Sequence, residues 1–263
     1  MPYRIDVRAA PRSFDRLIEL GAIDAEVLAD GGIAAVMPDT VRPEQIATAL
    51  HVDEVTTSPA VGRDAESVWV VRPRSIQIGR LRIGPAGTEA GTDALRLVDS
   101  PTFGSGLHPT TAMCLEALDE AVQAEGPQAL LDIGTGSGVL TLGALKLGVP
   151  RALAVDVDDA ALHVAAENAR INALSDRIEL RLGGPEVVTG AWPLVVANVL
   201  GASLVEMASA IVRRVGHHGQ LVLSGIPSSL EPEVDRAYRG LGMHRGRVRS
   251  RAGWVAIVLR ATW

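Results

Sequence analysis

Asp132-Ile133-Gly134-Thr135-Gly136-Ser137-Gly138 follows two leucines, so an apolar strand ends in an acid and opens into a loop with a glycine at every second position. Glycines there permit a tight turn and let a ligand approach the backbone where a Cβ would collide. A second acid, Asp156, closes the next apolar run, 22 residues past Gly134, and a lone amide, Asn198, closes a later one. Glycines also close ordinary turns, but the loop by itself favours a nucleotide-like ligand over a bare turn.

Two cofactors suit a strand, a glycine loop and an acid on the next strand. A dinucleotide wants G-x-G-x-x-G, with its pyrophosphate on the helix N-terminus. The spacing here is G-x-G-x-G, and Val139 stands where that pattern has its last glycine. S-adenosylmethionine (SAM) carries no phosphate, so its loop needs close backbone approach more than an anion cradle. Asp156 is placed to accept both ribose hydroxyls, while Asp158 and Asp159 already supply negative charge to the following helix. The spacing favours SAM. A dinucleotide-dependent oxidoreductase remains the alternative of a different class.

The elements that must position these residues alternate. Apolar runs at 130–133, 152–157, 178–182, 194–197 and 220–224 read as strands. Helical patterns fall at 112–124, 139–148, 204–212 and 230–241, with another after residue 158 whose stripe is Leu162, Ala165, Ala166 and Ala169. Segments 243–249 and 254–259 read as a closing antiparallel pair around Ala252-Gly253. This alternation predicts a doubly wound, mainly parallel α/β sheet, in which ligands lie beyond the carboxyl ends of the strands where their order reverses. Asp132, Asp156 and Asn198 all fall at or beside such ends.

Residues 1–62 predict a small separate α/β domain: strands at 3–7, 33–37 and 52–56, and helices at 13–29 and 43–50. Residues 63–98 read as a linker followed by a β-extension, with strands at 68–71, 76–83 and 95–98, and residues 99–263 as the main domain. His108, before Pro109, reads as a local hydrogen-bonding residue rather than a base or a metal ligand.

Composition narrows the function. A net charge of −6 and an aromatic content of 3% argue against a nucleic-acid partner and are compatible with a basic protein. Cys114 is the single cysteine, which rules out an intrachain disulfide and a cysteine metal cluster, and no metal is expected. No signal-peptide core follows Met1, and Gly190, Pro193, Asn198 and Gly201 interrupt the longest uncharged run, so a cytoplasmic protein with no membrane span is expected.

Residues 96–225 resemble the PrmA-type family of ribosomal protein methyltransferases. The resemblance rests on Phe103-Gly104-Ser105-Gly106-Leu107-His108-Pro109-Thr110-Thr111, residues 132–138, Asp156-Val157-Asp158, Glu167-Asn168-Ala169-Arg170-Ile171-Asn172, Val196-Ala197-Asn198-Val199-Leu200 and Leu223-Ser224-Gly225-Ile226. It implies a seven-stranded class I methyltransferase sheet, SAM as cofactor, and SAM contacts from Thr111, Gly134, Asp156 and Asn198. Asp132, Gly136 and Gly138 join that set from the loop itself. It also implies methyl transfer to an amine, on a lysine side chain or an N-terminus, of a protein such as a ribosomal protein. No residue stands out as a general base, so Asn198 is expected to orient the nitrogen by its side-chain carbonyl or backbone. Residues 1–62 parallel the family's substrate-recognition domain. Asn198 is not followed by the Pro-Pro-aromatic run used on planar nitrogens, which disfavours nucleobase and glutamine-amide acceptors. A small-molecule N-methyltransferase is the nearer alternative.

Overall fold

The computed structural model describes residues 2–8, 13–28, 31–60, 75–86, 94–98, 108–251 and 253–263. The strand expected at 68–71 and the glycine-containing segment 101–107 lie outside these residues.

The first unit runs β1 (Tyr3–Arg8), α1 (Ser13–Glu19), β2 (Asp24–Val27), β3 (Gly32–Met37), α2 (Pro43–Leu50) and β4 (Thr56–Pro59), in a sheet ordered β2-β3-β1-β4. Its core of Ile5, Val7, Leu17, Ile33, Ala35, Met37, Ile46 and Leu50 is separate from the others. The helix expected over 13–29 is shorter than its apolar spacing suggests. Gly21 turns into the left-handed region at φ 91°, and the Ala22 N–H bonds back to the Leu17 carbonyl. The chain then returns as β2, antiparallel to β3. The last strand likewise lies at 56–59 rather than 52–56.

Strands β5 (Ile76–Ile78), β6 (Leu81–Pro85) and β7 (Leu95–Leu97) form a small sheet; the single run expected over 76–83 is a hairpin turning at Gly79. Then follow α3 (Pro109–Glu125), β8 (Leu130–Ile133), α4 (Val139–Leu147), β9 (Ala152–Asp156), α5 (Asp159–Ile171), β10 (Ile178–Leu182), β11 (Trp192–Asn198), α6 (Gly201–Glu206), α7 (Ala208–Val212), β12 (Val215–Pro227), α8 (Glu231–Arg239), β13 (Met243–Arg251) and β14 (Trp254–Ala261). The seven-stranded sheet is ordered β10-β9-β8-β11-β12-β14-β13, parallel from β10 to β12, with β14 antiparallel to both its neighbours.

Side chains along each strand alternate between two cores, as the strand period requires. Leu130, Leu194, Val196, Val222 and Val258 pack with α3, α4 and β5–β7, while Leu131, Val195, Ala197, Leu221, Leu223 and Ile257 pack with α6–α8. Helices therefore cover both faces. The helix expected over 204–212 is two, interrupted at Met207. In α5 the buried stripe is Ala161, Leu162, Ala165, Asn168 and Ala169; Ala166 faces solvent. Among the described residues no helix is long and apolar enough to cross a membrane.

A candidate cofactor site at the switch point of the sheet

The chain leaves β8 toward β9 and β10 on one side and later fills β11 and β12 on the other, so the strand order reverses between β8 and β11. These are hydrogen-bonded neighbours, with Ile133 opposite Ala197. Gly134 follows β8 directly, and Asn198 ends β11. Here the sheet opens the crevice in which doubly wound folds bind ligands.

The glycine loop is held by backbone bonds. The Gly134 and Thr135 N–H groups donate to the Val155 carbonyl at 2.9 and 3.1 Å, and the Gly138 N–H donates to the Thr135 carbonyl at 2.9 Å. Gly134, at φ 74°, has a second reason to be glycine, since a Cβ there would lie 2.3 Å from Val199 Cγ1. Gly138, at φ 79°, is the N-cap of α4.

Asp132 lies beneath this loop, fully buried. Its Oδ2 accepts from the Thr135 hydroxyl at 2.8 Å and the Thr141 hydroxyl at 2.6 Å. Its Oδ1 has no hydrogen-bond partner among the described residues. Burial raises its pKa from 3.8 to about 6, although the two threonine hydroxyls pull the other way. Asp156 ends β9, and its Oδ2 accepts the Gly136 N–H at 2.8 Å while Oδ1 accepts the Asp158 N–H at 3.0 Å. Each carboxylate oxygen has a second lone pair, so these bonds leave acceptor capacity. Helix α5 is capped by Asp158, whose Oδ1 takes the Ala160 N–H at 2.9 Å.

Across the switch point, the Asn198 side chain donates to the Thr111 hydroxyl at 3.5 Å. Asn198 Oδ1 is buried with no partner among the described residues. Thr111 itself is fully buried in the first turn of α3. His108 caps that helix: its Nδ1 accepts the Thr110 N–H at 3.3 Å and lies 2.7 Å from the Thr110 hydroxyl, the local role expected of it.

The fold thus brings Asp132, the three glycines and Asp156 together at β8 and β9, and Thr111 and Asn198 together at β11. Thr135 and Thr141, which brace Asp132, carried no distinct signal in the sequence. Asn168 and Asn172 did carry one, an amide repeated at four-residue spacing. Asn168 Nδ2 donates to the Ser137 carbonyl of the loop at 2.8 Å, and its Oδ1 accepts the Val98 N–H at 2.8 Å.

A seven-stranded sheet with one reversed strand, and a glycine loop at its switch point followed by an acid on the next strand, define a class I SAM-dependent methyltransferase. The family model described as Ribosomal protein L11 methyltransferase (PrmA) matches residues 45–262. Ribosomal protein L11 methyltransferases of Geotalea daltonii and Myxococcus xanthus are 40% and 36% identical, covering 78% and 82% of this chain and 71% and 76% of theirs. The crystal structure of the ribosomal protein L11 methylase from Lactobacillus delbrueckii subsp. bulgaricus aligns with a TM-score of 0.65 at 27% identity, covering 72% of this chain and 99% of that one. The chain belongs to the ribosomal protein L11 methyltransferase family. It is an enzyme that uses SAM, and neither the oxidoreductase nor the small-molecule methyltransferase is favoured.

The residues present fit that cofactor. SAM carries an ammonium, and Asp132 Oδ1 is a buried carboxylate oxygen with no partner among the described residues. It also carries a ribose, and Asp156 is a carboxylate of spare capacity at the end of β9.

Proposed function

We propose that this chain methylates amines, on lysine side chains or an N-terminus, of ribosomal protein L11, the substrate that the names of its relatives give. In this reading Thr111, Asp132, Gly134, Gly136, Gly138, Asp156 and Asn198 hold SAM, and Asn198 also meets the acceptor. Residues 1–62 form the recognition unit for the protein substrate, residues 63–98 join it to the site and brace it, and residues 99–263 carry the reaction. The partner is a protein, not a nucleic acid or a membrane, and the setting is the cytoplasm.

The observation that carries the reading is Asn198. A buried amide oxygen without a partner costs roughly 1–3 kcal/mol, which a ligand N–H would recover. Bound in this crevice, SAM supplies an electrophilic methyl group on a sulfonium. The acceptor nitrogen must arrive neutral. For a lysine with a pKa near 10.4 that costs about 4–5 kcal/mol at pH 7. Exclusion of water lowers the amine's pKa, and Asn198 Oδ1 accepts one of its N–H groups and fixes its orientation. Apart from the carboxylates that hold the cofactor, this reading gives no described residue the role of base. The chain therefore works by positioning and desolvation rather than by proton abstraction.

The test is calorimetric titration of Asp156→Ala with SAM. Loss of one charge-assisted bond to the ribose, together with the Gly136 anchor, is expected to weaken binding about tenfold to a hundredfold. Unchanged affinity would remove Asp156 from the site.

A further inference from the structure

Two amides, Asn168 on α5 and Asn172 at its C-cap, do for β7 what a neighbouring strand would do. Among the described residues β6 is the one strand paired with β7. On its other edge Asn172 Oδ1 accepts the Arg96 N–H at 2.9 Å and Asn172 Nδ2 donates to the Arg96 carbonyl at 2.6 Å. Two residues on, Asn168 Oδ1 accepts the Val98 N–H at 2.8 Å. The match is geometric: four residues of helix rise about 6 Å, close to the roughly 6.6 Å spanned by two residues of strand.

Asn168 differs from Asn172 in where its second group goes. Asn172 Nδ2 turns back to the Asn168 carbonyl at 2.7 Å, onto the last turn of α5. Asn168 Nδ2 crosses to the Ser137 carbonyl at 2.8 Å, inside the glycine loop and next to Gly138. Asn168 is fully buried, so a bond lost on either side has no water to replace it. One amide therefore joins the loop at β8 to residue 98, from which the chain runs on to Thr111.

We propose that Asn168 is a positioning residue for SAM. It fixes the glycine loop from behind and couples it to the docking of β7, so that one helix sets the loop and the strand together. The inference rests on the glycine loop being the SAM site. Asn172 anchors β7 alone and serves as its structural control.

The experiment is calorimetric titration of SAM into the full-length wild type, Asn168→Ala, Asn172→Ala and Asp156→Ala, with melting temperatures recorded for each. Asn168→Ala should raise Kd about tenfold or more, while Asn172→Ala, with a comparable fall in melting temperature, should stay within about twofold of wild type. Wild-type affinity in Asn168→Ala, or an equal loss in Asn172→Ala, would overturn the proposal. Asp156→Ala separates the two levels: normal binding there rejects the SAM site itself, whereas loss there with normal binding in Asn168→Ala rejects only the role of Asn168. Should Asn168→Ala fail to fold, amide exchange in the wild type decides. SAM is expected to slow exchange at Val98 together with residues 134–138, and protection of the loop with Val98 unchanged would contradict the coupling.

Discussion

Asp132 takes two threonine hydroxyls on one oxygen, none among the described residues on the other, and lies wholly out of solvent. Its burial raises the pKa from 3.8 to about 6, so the folded chain holds this proton more tightly than the unfolded chain does. The contribution of Asp132 to stability is therefore full below about pH 4 and is lost as pH rises through 6. Asp132→Asn has no proton to lose, and its urea unfolding curves should lack that fall. Cofactor binding should run the other way. If the ammonium of SAM pairs with the ionised carboxylate, affinity at pH 5 should be about tenfold below that at pH 7, because the proton competes with the cation. Titration across this range checks it, and a flat profile in the wild type would separate Asp132 from the ammonium. Asp132, Asp156 and Asn198 were legible in the sequence because each lies at or beside a strand end, and the glycines because of their spacing. Thr135 and Thr141 were not, since a hydroxyl that braces an acid leaves no periodic trace. Segment 167–172 was visible as a motif, but its purpose needed the fold, which alone brings residue 98 to residue 168.

At the scale of elements, α3 is the strut of the site, and its position is held from two directions. On one side Asp119 grips the β5–β6 hairpin. It accepts the Arg80 N–H at 2.9 Å, the Arg80 guanidinium at 2.7 Å and the Gln123 amide at 3.0 Å, and Gly79 lies so close that a Cβ would meet the carboxylate at 2.4 Å. On the other, Arg247, Arg249 and Arg251 of β13 and Arg260 of β14 pair with Glu116, Glu120 and Glu125 along the helix. The two grips differ in weight. Asp119 is buried, so Asp119→Ala should cost about 2–3 kcal/mol in urea unfolding, while the exposed Arg247–Glu120 pair should be worth under about 1 kcal/mol. A comparable loss at both positions would contradict this ranking. Strand and helix alternation from residue 130 onward was legible because long apolar runs and amphipathic stripes are hard to misread. Short elements were harder. Over 13–29 an apolar period of 3.6 concealed a left-handed glycine and a four-residue strand whose pairing with β3 is set by tertiary contact.

For the whole molecule, composition and alternation anticipated the doubly wound sheet, whereas the attachment of the middle segment depends on packing. Ile78, Leu81, Ile83, Leu95 and Leu97 are buried in the same core as α3 and α4, while residues 1–59 keep a core of their own. The two parts should therefore respond differently to truncation. Removal of residues 1–62 is expected to leave SAM affinity within about twofold but to abolish methylation of the protein substrate. Removal through residue 98 strips these five buried side chains, among the described residues, from the main core, each worth about 1.5–3 kcal/mol, and should unfold the domain. Calorimetry and circular dichroism distinguish these outcomes, and normal protein methylation by the shorter deletion would contradict the role given to the N-terminal unit. Amine methylation of ribosomal protein L11 is checked by incubating the full chain with isotopically labelled SAM and a ribosomal-protein fraction, then locating the label by mass spectrometry. Labelled methyl groups on lysine or N-terminal amines of that protein, absent with Asn198→Ala, are the predicted result; label confined to small metabolites, or to other atoms of the protein, would contradict it.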